Sequence, residues 1–278
     1  MSATLLHSLT EDELANWRRE QGYRVHAHRG RFWMESPPGF LQPLHWVARF
    51  SRQEASPPVA PSWGFRAVLT EREAEAANGA LSVHANSDVE RYTIDSLSSK
   101  RRNDLRRSYR RAVIVEIIGP ALLRQQGYEV FESALNRTGY ARPGSKEDYL
   151  AGLEQYFAAR RRVVLGALIN DRLAGYLGGF AVDGNAYIEQ VHLSTEALPH
   201  EIGIGLVFEF AQVCRRSKGI RKIIYGQHSR EDKSLCTFKE RIGFPVTLFP
   251  TRVRLLPVVA QLLRWRYPHK YYRLTGRA

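Results

Sequence analysis

Apolar and polar positions are most sharply patterned between Arg162 and Phe244. Val163 to Ile169 and Leu173 to Val182 are dense in aliphatic and β-branched residues, and the Asn170-Asp171 pair between them accepts the positive φ angles of a tight hairpin. Asp183-Gly184-Asn185 supplies a second such turn into Ala186–Ser194. After Pro199 the sequence reads His200-Glu201-Ile202-Gly203-Ile204-Gly205, and Leu206, Val207, Phe210, Ala211, Val213 and Cys214 then recur at the spacing of a helix packed on a sheet. The pattern predicts a meander, a glycine turn and a helix over Ile204–Ser217. A strand at Lys222–Tyr225, a helix running into Gly243-Phe244 and a strand at Val246–Leu255 complete it.

The flanks are patterned less regularly. Thr10-Glu11-Asp12-Glu13 has the form of a capping box, so a helix is expected to about Gln21 with Trp17 toward the core. Short β-like runs follow at Tyr23–His26, Arg31–Met34, Leu44–Phe50 and Phe65–Leu69, with a proline-rich loop between Ser51 and Ser62. A brief helix over Glu71–Ala77 and a strand over Glu90–Ile94 are expected next. Asp95–Arg111 reads as a surface helix, Ala112–Ile118 as a strand, and the stretches after Pro120 and over Lys146–Arg160 as helices. Two lobes are therefore expected, residues 1–90 and residues 91–278.

Composition places the chain among globular proteins: 278 residues, 44% hydrophobic and 11% aromatic, are ample for a buried core. No apolar run reaches membrane-spanning length and the N-terminus lacks an export pattern, so a cytoplasmic protein is expected, with Cys214 and Cys236 as reduced thiols. The net charge of +13 points to anionic partners: CoA phosphates, nucleic acid or acidic lipid headgroups. Lys100, Arg101, Arg102, Arg106, Arg107, Arg110 and Arg111 crowd one helix, where they form either a solvated face or a phosphate-binding one. Tyr109 is the one aromatic among them, and so sparse an interleaving argues against reading of bases.

Candidate chemistry lies in the meander and the turn. A helix start presents unpaired N–H groups and a partial positive charge to a phosphate, and Gly203 and Gly205 would let a pyrophosphate approach the backbone. The alternative is a helix whose first turn simply packs tightly on the strand beneath it. Glu189, mid-strand in a segment expected to be buried on both faces, is the best candidate for a general base, or else one half of an internal ion pair with an arginine. His228, at the C-terminal edge of the Lys222–Tyr225 strand, is a substrate-side candidate or an ordinary loop residue. No Cys/His/Asp spacing resembles a metal site, so no metal is expected.

In this order the residues resemble the GNAT superfamily of acyl-CoA-dependent N-acyltransferases. The pyrophosphate signature Gln/Arg-x-x-Gly-x-Gly/Ala corresponds to His200-Glu201-Ile202-Gly203-Ile204-Gly205, with His200 in place of the usual Gln or Arg. Phe238-Lys239-Glu240-Arg241-Ile242-Gly243-Phe244 is similar to the family's closing segment, and Lys239 stands where its tyrosine acid usually falls. Leu97 to Arg107 is similar to a segment of the Fem-like branch, which includes both acyl-CoA enzymes and Fem-type transferases that use aminoacyl-tRNA.

The resemblance implies an α/β (α+β) fold, a mixed and mostly antiparallel sheet flanked by helices, with a smaller β-rich N-terminal lobe as a partial copy. It implies acyl-CoA, acetyl-CoA in the first instance, bound by Val191, His192, Leu193 and the 200–205 turn, with backbone N–H groups near Val191–Leu193 as oxyanion donors. Glu189 falls at the position of the carboxylate base, Lys239 becomes a candidate for phosphate or thiolate contact, and Tyr140 and Arg142 lie in the loop over the amine acceptor. Transfer from acyl-CoA to an amine is the leading expectation. Transfer from aminoacyl-tRNA, or a silent module binding nucleic acid or another anion, are the alternatives. The tail from Leu255 to Arg273 is apolar and basic, and is expected either to dock on the protein or to meet a membrane surface.

Overall fold

The structure, a computed structural model, describes residues 4–58, 61–139, 141–158 and 161–277. In chain order its elements are β1 (Ser8–Leu9), α1 (Glu11–Glu20), β2 (Val25–His28), β3 (Arg31–Glu35), β4 (Phe40–Pro43), β5 (Arg49–Phe50), β6 (Gly64–Leu69) and β7 (Gly79–Asn86). Then follow α2 (Ser99–Arg111), β8 (Val113–Glu116), α3 (Tyr128–Thr138), α4 (Lys146–Phe157), β9 (Val163–Ile169), β10 (Arg172–Val182), β11 (Asn185–Leu193) and α5 (Ile202–Arg216). The chain closes with β12 (Lys222–Gln227), α6 (Lys233–Arg241), β13 (Val246–Leu255), α7 (Pro257–Arg266) and α8 (Pro268–Thr275).

Two compact units form, and each draws on distant parts of the chain. The first comprises Met1–Ser8, Asn86–Gly226 and Arg241–Phe244, and the second Leu9–Ala85, Gln227–Glu240 and Pro245–Ala278. The tail thus shares a unit with the N-terminal strands, an arrangement that the expected boundary near residue 90 did not contain.

In the first unit the strand order is β8-β9-β10-β11-β12, antiparallel except for the parallel β11/β12 pair. Positive φ at Asn170, Asp171, Asp183 and Gly184 makes the two hairpin turns that the sequence announced. Ile117, Leu123, Val130, Leu153, Val164, Leu173 and Tyr176 form one side of its core, where α3 and α4 cover the sheet. Gly243, at φ +91°, lies under the Tyr92 ring, and the Tyr92 hydroxyl donates to Ile242 O at 2.6 Å. That contact accounts for the Gly-Phe ending in packing terms: a Cβ on Gly243 would stand 2.8 Å from the ring.

The second unit carries β2-β3-β4-β6-β13-β7, with Trp33, Leu41, Phe50, Phe65 and Leu69 in its core. Thr10 and Glu13 close the expected capping box, and Trp17 is buried. Both units are mixed, mostly antiparallel sheets flanked by helices.

Several expected boundaries move. The helix placed from Asp95 starts at Ser99, because Ser98 Oγ caps it by accepting from the Arg101 N–H. Glu90–Ile94 is a turn rather than a strand; its apolar Tyr92 serves the Gly243 contact instead of a sheet. The run Leu44–Phe50 contributes only β5. The strand β7 is missing from the sequence reading because Ser82 and His84, polar yet buried, interrupt its apolar pattern.

Candidate active site

Hydrogen bonding between β11 and β12 covers Asn185–Tyr187 opposite Lys222–Ile224 and stops there. Both strands continue, β11 to Leu193 and β12 beyond Ile224, so a gap opens between them. On its other side β11 stays paired with β10 up to Leu193. Where the gap begins, Gly179 faces Ile188 and Gly178 faces Gln190, leaving Glu189 as the surplus residue of a β-bulge. The Ser194 N–H donates to Ala174 O. Successive N–H groups of an extended strand point to opposite edges, so those of Val191 and Leu193 point toward the gap. They belong to the stretch in which the family resemblance implies oxyanion donors.

The bulge changes what Glu189 does. It is exposed rather than buried on both faces, and its Oε2 lies 3.0 Å from Arg162 Nη2. The side chains are 26% and 4% exposed respectively, so the guanidinium is the buried partner. Arg162 also lies over the Tyr156 ring, 4.0 Å from its centroid. The expected double burial of Glu189 is therefore corrected, and the arginine pair weighed as its alternative is present.

Behind the bulge stands an aromatic wall. His192 lies 5.0 Å from the Tyr176 ring and 5.2 Å from Phe131, with a ring nitrogen 3.4 Å from Gln190 Oε1. Burial lowers the His192 pKa from its ordinary value to about 4, which makes it a neutral imidazole near neutral pH. Tyr149 lies tilted against Phe131, ring centroids 5.2 Å apart, and brings its hydroxyl 3.4 Å from that of Tyr176. Desolvation pushes the Tyr176 phenol well above its usual value. Sequence reasoning missed Arg162, Tyr156, Gln190 and Tyr176. Arg162 was hidden at the end of an Arg160-Arg161-Arg162 run that reads as solvated surface.

The glycine turn is also rebuilt. A short 3-10 stretch, Thr195–His200, ends on Glu201 in the left-handed region at φ 58°, and α5 starts at Ile202, two residues earlier than expected. A Cβ on Gly205 would stand 2.3 Å from Ser108 Oγ and 2.9 Å from Ile114 Cδ1. Gly205 is thus required by the close approach of α2 and β8, the packing role offered as its alternative, with α2 a neighbour in addition to the strand. Gly203, Ile202 and Ile204 are buried in the same first turn, while His200 is half-buried beside it.

The same crossing brings cations to this corner. Arg107, Arg110 and Arg111 of α2 line, with Pro199 and His200, an open surface pocket of about 600 Å³. Asn103, Arg106 and Tyr109 border a neighbouring one, and the Tyr109 hydroxyl donates to Glu209 Oε1 of α5 at 2.5 Å. Leu105 and Ser108 are buried toward the fold, Arg101 pairs with Asp104 at 3.1 Å, and Lys100, Arg106, Arg107, Arg110 and Arg111 remain exposed.

Of the other candidates, Arg142 is exposed just ahead of α4, and Tyr140 lies outside the described residues. His228 and Lys239 belong to the second unit. Lys239 is buried in α6, and desolvation lowers its pKa to about 8, partly offset by Cys236 and Asp232 and reinforced by Arg273.

His228 Nδ1 lies 3.3 Å from His84 Nε2, and with Cys236 these residues form the one group among the described residues whose donor atoms, all within 4.8 Å, approach a metal site. A tetrahedral zinc needs donors roughly 3.3–3.6 Å apart. The two imidazoles meet that, but the Cys236 thiol donates to Ser229 O at 3.2 Å, and Lys239 and Arg273 border the group. Two neighbouring cations oppose a divalent ion, so no metal is assigned to it.

No family profile and no curated protein matches the chain. Solved structures do. The C-terminal domain (DUF2156) of a putative lysylphosphatidylglycerol synthetase from Agrobacterium fabrum aligns with a TM-score of 0.61 at 11% identity, covering 96% of this chain and 95% of that one. L-PGS from Bacillus licheniformis gives 0.56 at 14%, over 98% and 99%, and FemX gives 0.57 at 9%, over 94% and 96%. At such identities the likeness speaks for architecture alone. With the meander, the turn and the helix order already in place, the chain has the GNAT-type fold of the Fem-like kind.

Proposed function

We propose that the protein is an acyltransferase that moves an acyl group from a phosphate-bearing carrier to an amine. The reading rests foremost on Arg107, Arg110, Arg111 and His200 meeting at the start of α5, beside a strand that has parted from its neighbour. In this scheme the acceptor nitrogen attacks the donor carbonyl carbon, and the oxyanion is received by the Val191 and Leu193 N–H groups. Glu189, two residues past the last β11/β12 pair, takes the proton of the attacking amine, and as the C–O or C–S bond breaks the carrier leaves with that proton, which returns Glu189 to its carboxylate form. The neutral His192 and the tyrosines around it shape the acceptor side.

Of the two carriers that the Fem-like resemblance implies, aminoacyl-tRNA suits α2 better. Lys100, Arg106, Arg107, Arg110 and Arg111 are exposed along a helix of about 18 Å, longer than one diphosphate and suited to a polynucleotide backbone. The packed Gly205 gives no added room for a pyrophosphate. Acyl-CoA is the second reading, favoured by the β11/β12 gap, which could take a pantetheine arm.

The test pairs labelled aminoacyl-tRNA and labelled acetyl-CoA with a panel of amines. Transfer from tRNA, with binding weakened in Arg107→Gln/Arg110→Gln and a salt slope reduced by roughly one unit per arginine, supports the first reading. Transfer from acetyl-CoA alone moves the assignment to the second, and binding of neither donor removes both.

A further inference from the structure

The expected docking of the tail splits in two. The second of its helices, α8, is docked, with Tyr271, Tyr272 and Thr275 buried. The first, α7, has no buried residue. Its half-buried positions, Val259, Ala260 and Leu263, occupy one side, whereas Val258, Leu262 and Trp265 are 79%, 51% and 80% exposed. These three are spaced i, i+4 and i+7, so they form one outward row.

The helix that carries the row is joined to its neighbour. Arg264 Nη2 donates to the Tyr271 hydroxyl at 2.7 Å and its guanidinium lies 4.8 Å from that ring, which ties α7 to the docked α8. Next to it, Arg266 and Lys270 sit over the Tyr267 ring at 5.4 and 4.6 Å. No Asp or Glu occurs from Arg241 to Ala278, so the charges that α7 and α8 themselves carry are all positive.

We propose that α7 is a membrane-surface helix that seats Val258, Leu262 and Trp265 in the headgroup region of an anionic bilayer, with Arg266 and Lys270 against the lipid phosphates. An indole with its ring apolar and its N–H polar suits that depth, and an amphipathic helix with basic flanks is the element that binds there. A second copy of the chain fits less well. The row is only about 11 Å long, far short of the roughly 800 Å² per partner of a stable interface, and a two-fold contact would set like charges against each other. No helix among the described residues is long and apolar enough to cross a membrane, so the contact proposed is peripheral.

The test is co-sedimentation with phosphatidylcholine vesicles, with and without about a third phosphatidylglycerol. Native protein is expected to pellet with the anionic vesicles. Leu262→Ser/Trp265→Ala and, separately, Arg266→Gln/Lys270→Gln are expected to weaken partitioning about tenfold, with melting temperatures unchanged because the altered side chains are exposed. Leu248→Ser, which alters another residue 65% exposed, should bind as the native protein does. The proposal is overturned if native protein stays in the supernatant, if the Leu262/Trp265 variant pellets equally, or if light scattering shows a native dimer that this variant abolishes. None of these readouts depends on transferase activity.

Discussion

Arg162, just ahead of β9, meets Glu189 at 3.0 Å beside the β10/β11 bulge, and the guanidinium is the more deeply buried of the two. Removing the carboxylate therefore strands a buried cation. Glu189→Gln should cost about 1–3 kcal/mol in urea unfolding, and Arg162→Gln/Glu189→Gln less than the sum of the single changes. In the transfer assay Glu189→Gln should also lower turnover about 10²–10⁴-fold. Loss of stability with full turnover would leave Glu189 a positioning residue only.

His192 gives the fold a pH dependence of known sign. Its folded pKa, about 4, lies below the ordinary 6.5, so on acidification the unfolded chain takes up a proton that the folded chain refuses. Stability present above pH 6.5 should fall by about 2–3 kcal/mol between pH 6.5 and 4. His192→Gln should flatten that part of the profile, and an unchanged slope would refute the assignment.

Gly205 predicts a packing defect with a specific remedy. Gly205→Ala should destabilise by about 1–3 kcal/mol, since the new methyl meets Ser108 Oγ at 2.3 Å. Ser108→Ala in the same chain removes that oxygen and should restore a good part of the loss. Thermal melts of the two single variants and the double variant decide it.

Lys239 repeats the sign of His192 in a higher pH window. Burial depresses its pKa from 10.5 to about 8, so below pH 8 both folded and unfolded chains hold the proton and the folded state carries a desolvated charge. Stability attributable to this group should rise from pH 8 to 10.5. Lys239→Met should remove the rise and stabilise the protein at pH 7 by about 1–3 kcal/mol.

What the sequence disclosed was local chemistry. Asn170-Asp171 and Asp183-Gly184 announce their turns because positive φ is a property of the residues themselves. Thr10 and Glu13 announce a helix start for the same reason. The site residues that sequence reasoning missed depend on partners far along the chain. Arg162 reaches Glu189 across a bulge that no residue type encodes, and Ser108 meets Gly205 only once two helices cross. At Gly205 both roles stayed open, because a glycine that makes room for a ligand and one that makes room for a helix look alike in one dimension. The strand β7 escaped because its interior holds Ser82 and His84, whose burial depends on partners outside the strand.

The bulge has a further consequence for how this strand can change. On either side of Glu189 each residue of β11 keeps its own opposite number in β10, from Ile188 with Gly179 to Gln190 with Gly178. A three-nucleotide deletion removing Glu189 would therefore leave every other partnership untouched and produce a straighter ladder. The strand ladder, taken without the Arg162 pair, could discard this residue more cheaply than either neighbour, so a lineage that retained it would be keeping it for its carboxylate and not for the sheet.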